Sequence, residues 1–152
     1  KLNYNNMNKK NKNKAGFSLV ELLVVIAIIG VLATLAVISL QQARKSARDA
    51  KRIADIKQIQ TALELYFNDW QEYPAASSVT STIASGSNIY MAVLPTAPSP
   101  ADGNCTADQN SYDYAPTSTD NGSYTLSFCL GGQVGGLDAG PKCAHPGGVS
   151  SQ

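Results

Sequence analysis

From Phe17 to Leu40 the chain runs for 24 residues with a single charge, Glu21. A segment this apolar is long enough to cross a bilayer as a helix. It therefore has to sit in lipid or be packed all round by other apolar helices. An ionisable group within such a segment costs about 2.5–3.5 kcal/mol on insertion scales and needs a partner. The next basic residue is Arg44, more than six turns further along the same helix. The partner of Glu21 must then come from elsewhere, and the nearest chemical candidate is a cation on another copy of the chain.

The residues around this carboxylate carry a resemblance. Lys14-Ala15-Gly16 followed by Phe17-Ser18-Leu19-Val20-Glu21-Leu22 resembles the cleavage and methylation signal of type IV prepilins and pseudopilins. The match covers residues 14–40, and a looser likeness to small pilins continues to Tyr73-Pro74. The resemblance implies cleavage after Gly16 by a prepilin peptidase and methylation of the new N-terminal nitrogen at Phe17. It also implies that Glu21 pairs with the N-terminal amine of a neighbouring subunit. Many pilins carry a proline about two turns beyond Gly30, where this chain has none. A fixed proline kink is therefore not expected, and Gly30 serves either local unwinding or close helix packing.

The near-neutral total of +1 hides a strong asymmetry. Residues 1–16 hold five lysines and no acid, residues 41–60 carry a net +4, and residues 61–152 a net −7. A secretory signal peptide would need a shorter apolar core with a small-residue cut site after it. Here the apolar run is longer and the cut site precedes it. The lysine-rich leader, whose first residue is not Met and in which Met7 is a candidate start, should be disordered and stay cytoplasmic by the positive-inside tendency. The C-terminal part then faces outward.

Three cysteines, Cys105, Cys129 and Cys143, fall in that outward part. An oxidising compartment favours one disulfide with one thiol left over. Cys129 lies in the best strand, facing opposite to Phe128 and Leu130. Cys105–Cys129 is the first choice and Cys129–Cys143 the second.

No proline interrupts Phe17 to Tyr73. This predicts one helix of about 57 residues, roughly 85 Å long. Its second half shows an apolar stripe of Ile53, Ile56, Gln60, Leu63, Phe67 and Trp70, widened by Ile59 and Tyr66, which suits packing on a small sheet. Arg52, Asp55, Gln58 and Asp69 are expected to lie away from that stripe. Pro74 should end the helix. A loop over 75–88, a short element near Ile89–Leu94 and a proline-rich connection follow. Strands are predicted at Ser111–Ala115 and Ser123–Leu130, joined by a turn over Thr119-Asp120-Asn121-Gly122. The glycine-rich stretch 131–152 reads as a wrapped loop or frayed end. The expected fold is α+β and pilin-like. Its parts are a leader at 1–16, a membrane or filament-core helix at 17–40, an amphipathic helix at 41–73 and a head at 74–152.

Catalytic patterns are sparse. The glycines of Gly131–Gly136 lack the context of a phosphate loop. His145 lies in a Gly/Pro-rich stretch unsuited to a triad, and no cysteine spacing fits a zinc site. Asp102, Asp108, Asp113, Asp120 and Asp138 offer loop oxygens, and calcium takes six to eight. The major pseudopilins of type II secretion bind calcium in a C-terminal loop, so calcium is the one metal the resemblance raises. Without EF-hand spacing, the expectation is no cofactor. The basic segment Arg44–Lys57 could touch anionic lipid or DNA. A snorkelling collar with intersubunit pairing is the simpler reading.

The reading is a structural filament subunit and not an enzyme. Its expected partners are other copies of itself, the peptidase, the assembly machinery and membrane lipid. It would be single-pass in the membrane before assembly and part of an extracellular pilus after it. The rival in the same class is a pseudopilin of a secretion or DNA-uptake system. The rival of another class, a tethered enzyme or ligand-binding module, would need a polar cluster in a cleft that residues 74–152 do not supply.

Overall fold

The computed structural model describes residues 16–116 and 121–151. Expectations for the leader before Gly16 and for Thr119 and Asp120 lie outside the described residues. The chain divides into two compact units, Lys1–Ser39 and Leu40–Gln152. One helix, α1, runs Leu19–Trp70. The strands are β1 (Ile83–Ser85), β2 (Asn88–Met91), β3 (Asp113–Pro116), β4 (Tyr124–Leu130), β5 (Gly140–His145) and β6 (Gly148–Ser151). The architecture is α+β in the pilin-like layout.

In the first unit α1 starts on a capping box. The Val20 N–H donates to Ser18 Oγ at 3.3 Å, and the Ser18 N–H donates to Glu21 Oε2 at 2.8 Å. The Ser-x-x-Glu spacing thus satisfies two of the orphan donors at a helix N-terminus. The helix passes Gly30 unbroken. Thr34 Oγ1 donates to the Val31 carbonyl at 2.7 Å, so the hydroxyl needs no outside partner. Every residue from 16 to 44 is exposed. The helix is long and apolar enough to cross a membrane.

In the second unit α1 ends at Trp70, three residues before the predicted boundary at Tyr73. Gln71 adopts a left-handed conformation at φ 58°. Its N–H donates to the Phe67 carbonyl at 2.8 Å, and its side-chain amide reaches the carbonyl of Asn68 at 3.1 Å. This is a left-handed C-terminal cap built on glutamine instead of glycine. Pro74 comes after the helix is already closed.

β3, β4, β5 and β6 form one antiparallel sheet in that order, and β1 pairs with β2 separately. Alternation along β4 turns Tyr124, Leu126, Phe128 and Leu130 inward, where they join Ile56, Ile59, Ala62, Leu63 and Tyr66 of α1 in one core. Burying each large side chain stabilises by about 1.5–3 kcal/mol. Phe67 stacks on Tyr73, which meets the edge of Tyr124, each pair with centroids 4.7 Å apart.

Two expectations are corrected here. The expectation of a wrapped loop or frayed end after Leu130 fails over 140–151, where β5 and β6 complete the sheet. Gly140 and Gly148 take positive φ at the strand starts, so glycines read as loop signals serve as hairpin corners. The predicted loop over 75–88 likewise contains a short 3₁₀ turn at Ala76–Ser78 and strand β1.

Cys105 and Cys129 form a disulfide, and Cys143 is free. The bridge spans a sequence separation of 24, worth about 3 kcal/mol in the chain-entropy model. Replacing both residues by alanine is expected to lower the unfolding free energy of the full chain by about that amount, read by denaturant titration in detergent. An unchanged midpoint, or a Cys129–Cys143 peptide recovered from non-reducing digestion, would count against the pairing.

Candidate functional site

Two constellations stand out, one in each unit. The first is the N-terminal segment. Phe17 is 76% exposed, and a Cβ built on Gly16 would meet no atom within 4 Å. Among the described residues, none places a steric demand for glycine at position 16. Glu21, one helical turn away, is engaged with the Ser18 N–H. Its carboxylate retains lone pairs for a further donor. The Ser-x-x-Glu spacing carries this local partner in the sequence itself, three residues before the carboxylate.

The second constellation surrounds Arg52. The expectation that Arg52 and Asp55 lie away from the buried face is wrong, since Arg52 is 1% exposed and Asp55 is buried. Arg52 Nη1 donates to Asp49 Oδ1 at 2.7 Å and to Asp102 Oδ2 at 3.1 Å. Its Nη2 donates to the carbonyls of Pro98 and Pro100 at 3.0 and 3.2 Å and to Asn110 Oδ1 at 2.8 Å. Arg48 adds a two-pronged pair to Asp102, with Nε on Oδ2 at 2.7 Å and Nη2 on Oδ1 at 2.5 Å. Asp49 also accepts the N–H groups of Gly131 and Gly132 at 2.9 and 2.8 Å. A planar guanidinium can address several oxygens at fixed angles, which a lysine ammonium cannot.

The cluster thus ties α1 to the 98–110 connection and to the start of the 131–139 segment. Gly103, at φ 61°, and Gly131 make this approach possible, because a Cβ on either would collide with the other's turn. The Arg48 hydrogen bonds hold the Asp102 carboxyl below its ordinary range; burial pushes the other way, and Arg52 reinforces Arg48. Alongside, Tyr112 Oη donates to Asp55 Oδ2 at 3.0 Å. Burial raises the pKa of that phenol, and the Asp55 carboxylate raises it further.

The basic segment is therefore not a uniform collar. Arg48 and Arg52 are drawn into the fold, while Arg44, Lys51 and Lys57 remain exposed. Only the Asp49–Arg52 step of three residues was visible in advance; Asp102 lies 50 residues from Arg52 in sequence.

The other sequence candidates are dispersed. Asp102 is committed to the two arginines. Asp113 accepts from Ser111 Oγ at 2.8 Å and Asp138 from Gln133 Nε2 at 3.3 Å. Asp120 lies outside the described residues. Among the described residues no three His, Cys, Asp or Glu side chains are grouped to hold a metal ion. His145 closes the β5–β6 hairpin, and its carbonyl accepts from Gln60 Nε2 at 3.1 Å.

Residues 11–37 match a family model described as a prokaryotic N-terminal methylation motif. That stretch contains Gly16, Phe17 and Glu21 and all but the last three residues of the apolar run, and it is the signal of type IV pilins and pseudopilins. No curated protein and no solved structure matches the chain.

Proposed function

We propose that the chain is a structural subunit of a type IV pilus-like filament and works without turnover or cofactor. A prepilin peptidase removes the leader 1–16 by cutting after Gly16 and methylates Phe17. Residues 17–40 hold the protein in the membrane with residues 74–152 outward until assembly machinery extracts it. In the filament the apolar helices bundle together, and Glu21 sets axial register by pairing with a neighbour's N-terminal amine. That pair is stronger in an apolar core than on a wet surface.

The observation that carries this reading is the methylation motif seated at the start of a continuous helix whose residues 19–44 are all exposed. An apolar surface of that extent needs lipid or other helices around it. Electron microscopy of the native host, with antibody raised against residues 74–152, tests the assignment. Long labelled surface filaments are expected. Label confined to the envelope would favour the pseudopilin alternative, in which the same processed subunit builds a short secretion or DNA-uptake piston.

A further inference from the structure

We propose that Trp70 of one copy inserts into an apolar cleft on a second copy and that this contact repeats head to tail. The proposal rests on the filament reading above and adds the contact between neighbouring subunits. Trp70 is the last residue of α1 and is 47% exposed. Its Nε1–H donates to Tyr90 Oη at 2.9 Å, and that hydroxyl donates to Asp69 Oδ2 at 2.8 Å. The Tyr66 ring lies 6.3 Å away, centroid to centroid. The one polar atom of the indole is therefore satisfied and its orientation fixed, while much of the ring meets water. A large aromatic already immobilised loses little entropy on docking, which is the property of an interface anchor.

The complementary feature is on the same chain. A largely apolar cleft of about 270 Å³ is bounded by Ile53, Ile56, Lys57 and Gln60 of α1, Phe128 of β4, Gly135 and Leu137, and Val149 of β6. An apolar cavity of about 150 Å³ holds a benzene ring, so this one has room for an indole. Charge supports a second copy as the occupant. Asp69 stands beside Trp70, and the exposed Lys57 stands at the cleft, so entry of the indole brings opposite charges together. Knob and hole are different surfaces of one chain. Such a contact is heterologous, and unless its rotation closes a ring it propagates into an open helical filament.

The test is a cross-link in assembled material. In a Cys143→Ser background, Glu72→Cys and Thr61→Cys are combined; both positions are exposed, Glu72 follows Trp70 by two residues and Thr61 lies one helical turn from Lys57, so the contact itself is left intact. Filaments are sheared from cells and oxidised. A ladder of covalent multimers beyond the dimer is expected, with none from either single cysteine. Filaments that form but give no ladder overturn the contact and leave the filament reading standing. Absence of filaments from the wild-type chain removes both. If the double-cysteine variant alone fails to assemble, Trp70→Ala and Trp70→Phe decide. Trp70→Ala should weaken subunit association about 30-fold or more, the scale of a hot-spot truncation, with Trp70→Phe retaining assembly. Wild-type filament yield from Trp70→Ala overturns the proposal.

Discussion

Replacing Arg52 with alanine is expected to lower the unfolding free energy by about 3–5 kcal/mol, the cost of removing one partner from a buried ion pair. The residue is 1% exposed and serves five acceptors, one on α1 and four in the 98–110 connection. Asp49 would keep the Gly131 and Gly132 amides, and Asp102 would keep Arg48. The carbonyls of Pro98 and Pro100 would lose their guanidinium donor, and the side chain would leave a cavity. Arg52→Lys should restore little of this, because one ammonium has three donors and no planar fork. Denaturant unfolding of the full chain in detergent, followed by tyrosine and tryptophan fluorescence, gives the number. A loss below about 1 kcal/mol for Arg52→Ala would mean the cluster is only a surface ion pair.

Glu21→Ala is expected to abolish filaments while leaving the protein in the membrane. Removing the carboxylate eases insertion by up to about 2.5–3.5 kcal/mol if it sits near the bilayer centre. Two things are lost with it. One is the charge available to a neighbour's amine, and the other is the capping contact with the Ser18 N–H. A lost cap alone costs about 1 kcal/mol. Glu21→Gln separates the two, since the amide oxygen can still accept from Ser18 but carries no charge. Filament counts by electron microscopy at matched membrane levels should fall to background for both variants. Normal assembly of Glu21→Gln would assign the residue to helix capping and not to register.

The helix, its apolar half and β4 were legible because each rests on local pattern: a proline-free run over 17–70 with no turn cluster, and period-2 alternation at Tyr124–Leu130. The end at Trp70 was not, because it depends on Gln71 entering a left-handed conformation that glutamine seldom adopts. Strands β5 and β6 were missed because Gly140, Pro141, Gly147 and Gly148 dominate a stretch whose pairing comes from β4, not from its own propensity. The Arg52 cluster was hidden for a related reason. A charge inside a basic run reads as solvated until the distant Asp102 and the Gly131 backbone are placed against it. At the N-terminus the motif was readable because it is contiguous and its chemistry depends on adjacent residues.

Intact-mass analysis of protein purified from the native host tests the account most directly. The account predicts a chain that begins at Phe17, lacks residues 1–16 and carries one added methyl group on the N-terminal nitrogen. Because no described residue packs against Gly16, exchanging it for a bulky residue should leave the folded head untouched and yield the uncut mass. A native chain that retains its leader, or one cut beyond Leu40 as a secretory signal would be, contradicts the proposed processing and the filament role built on it.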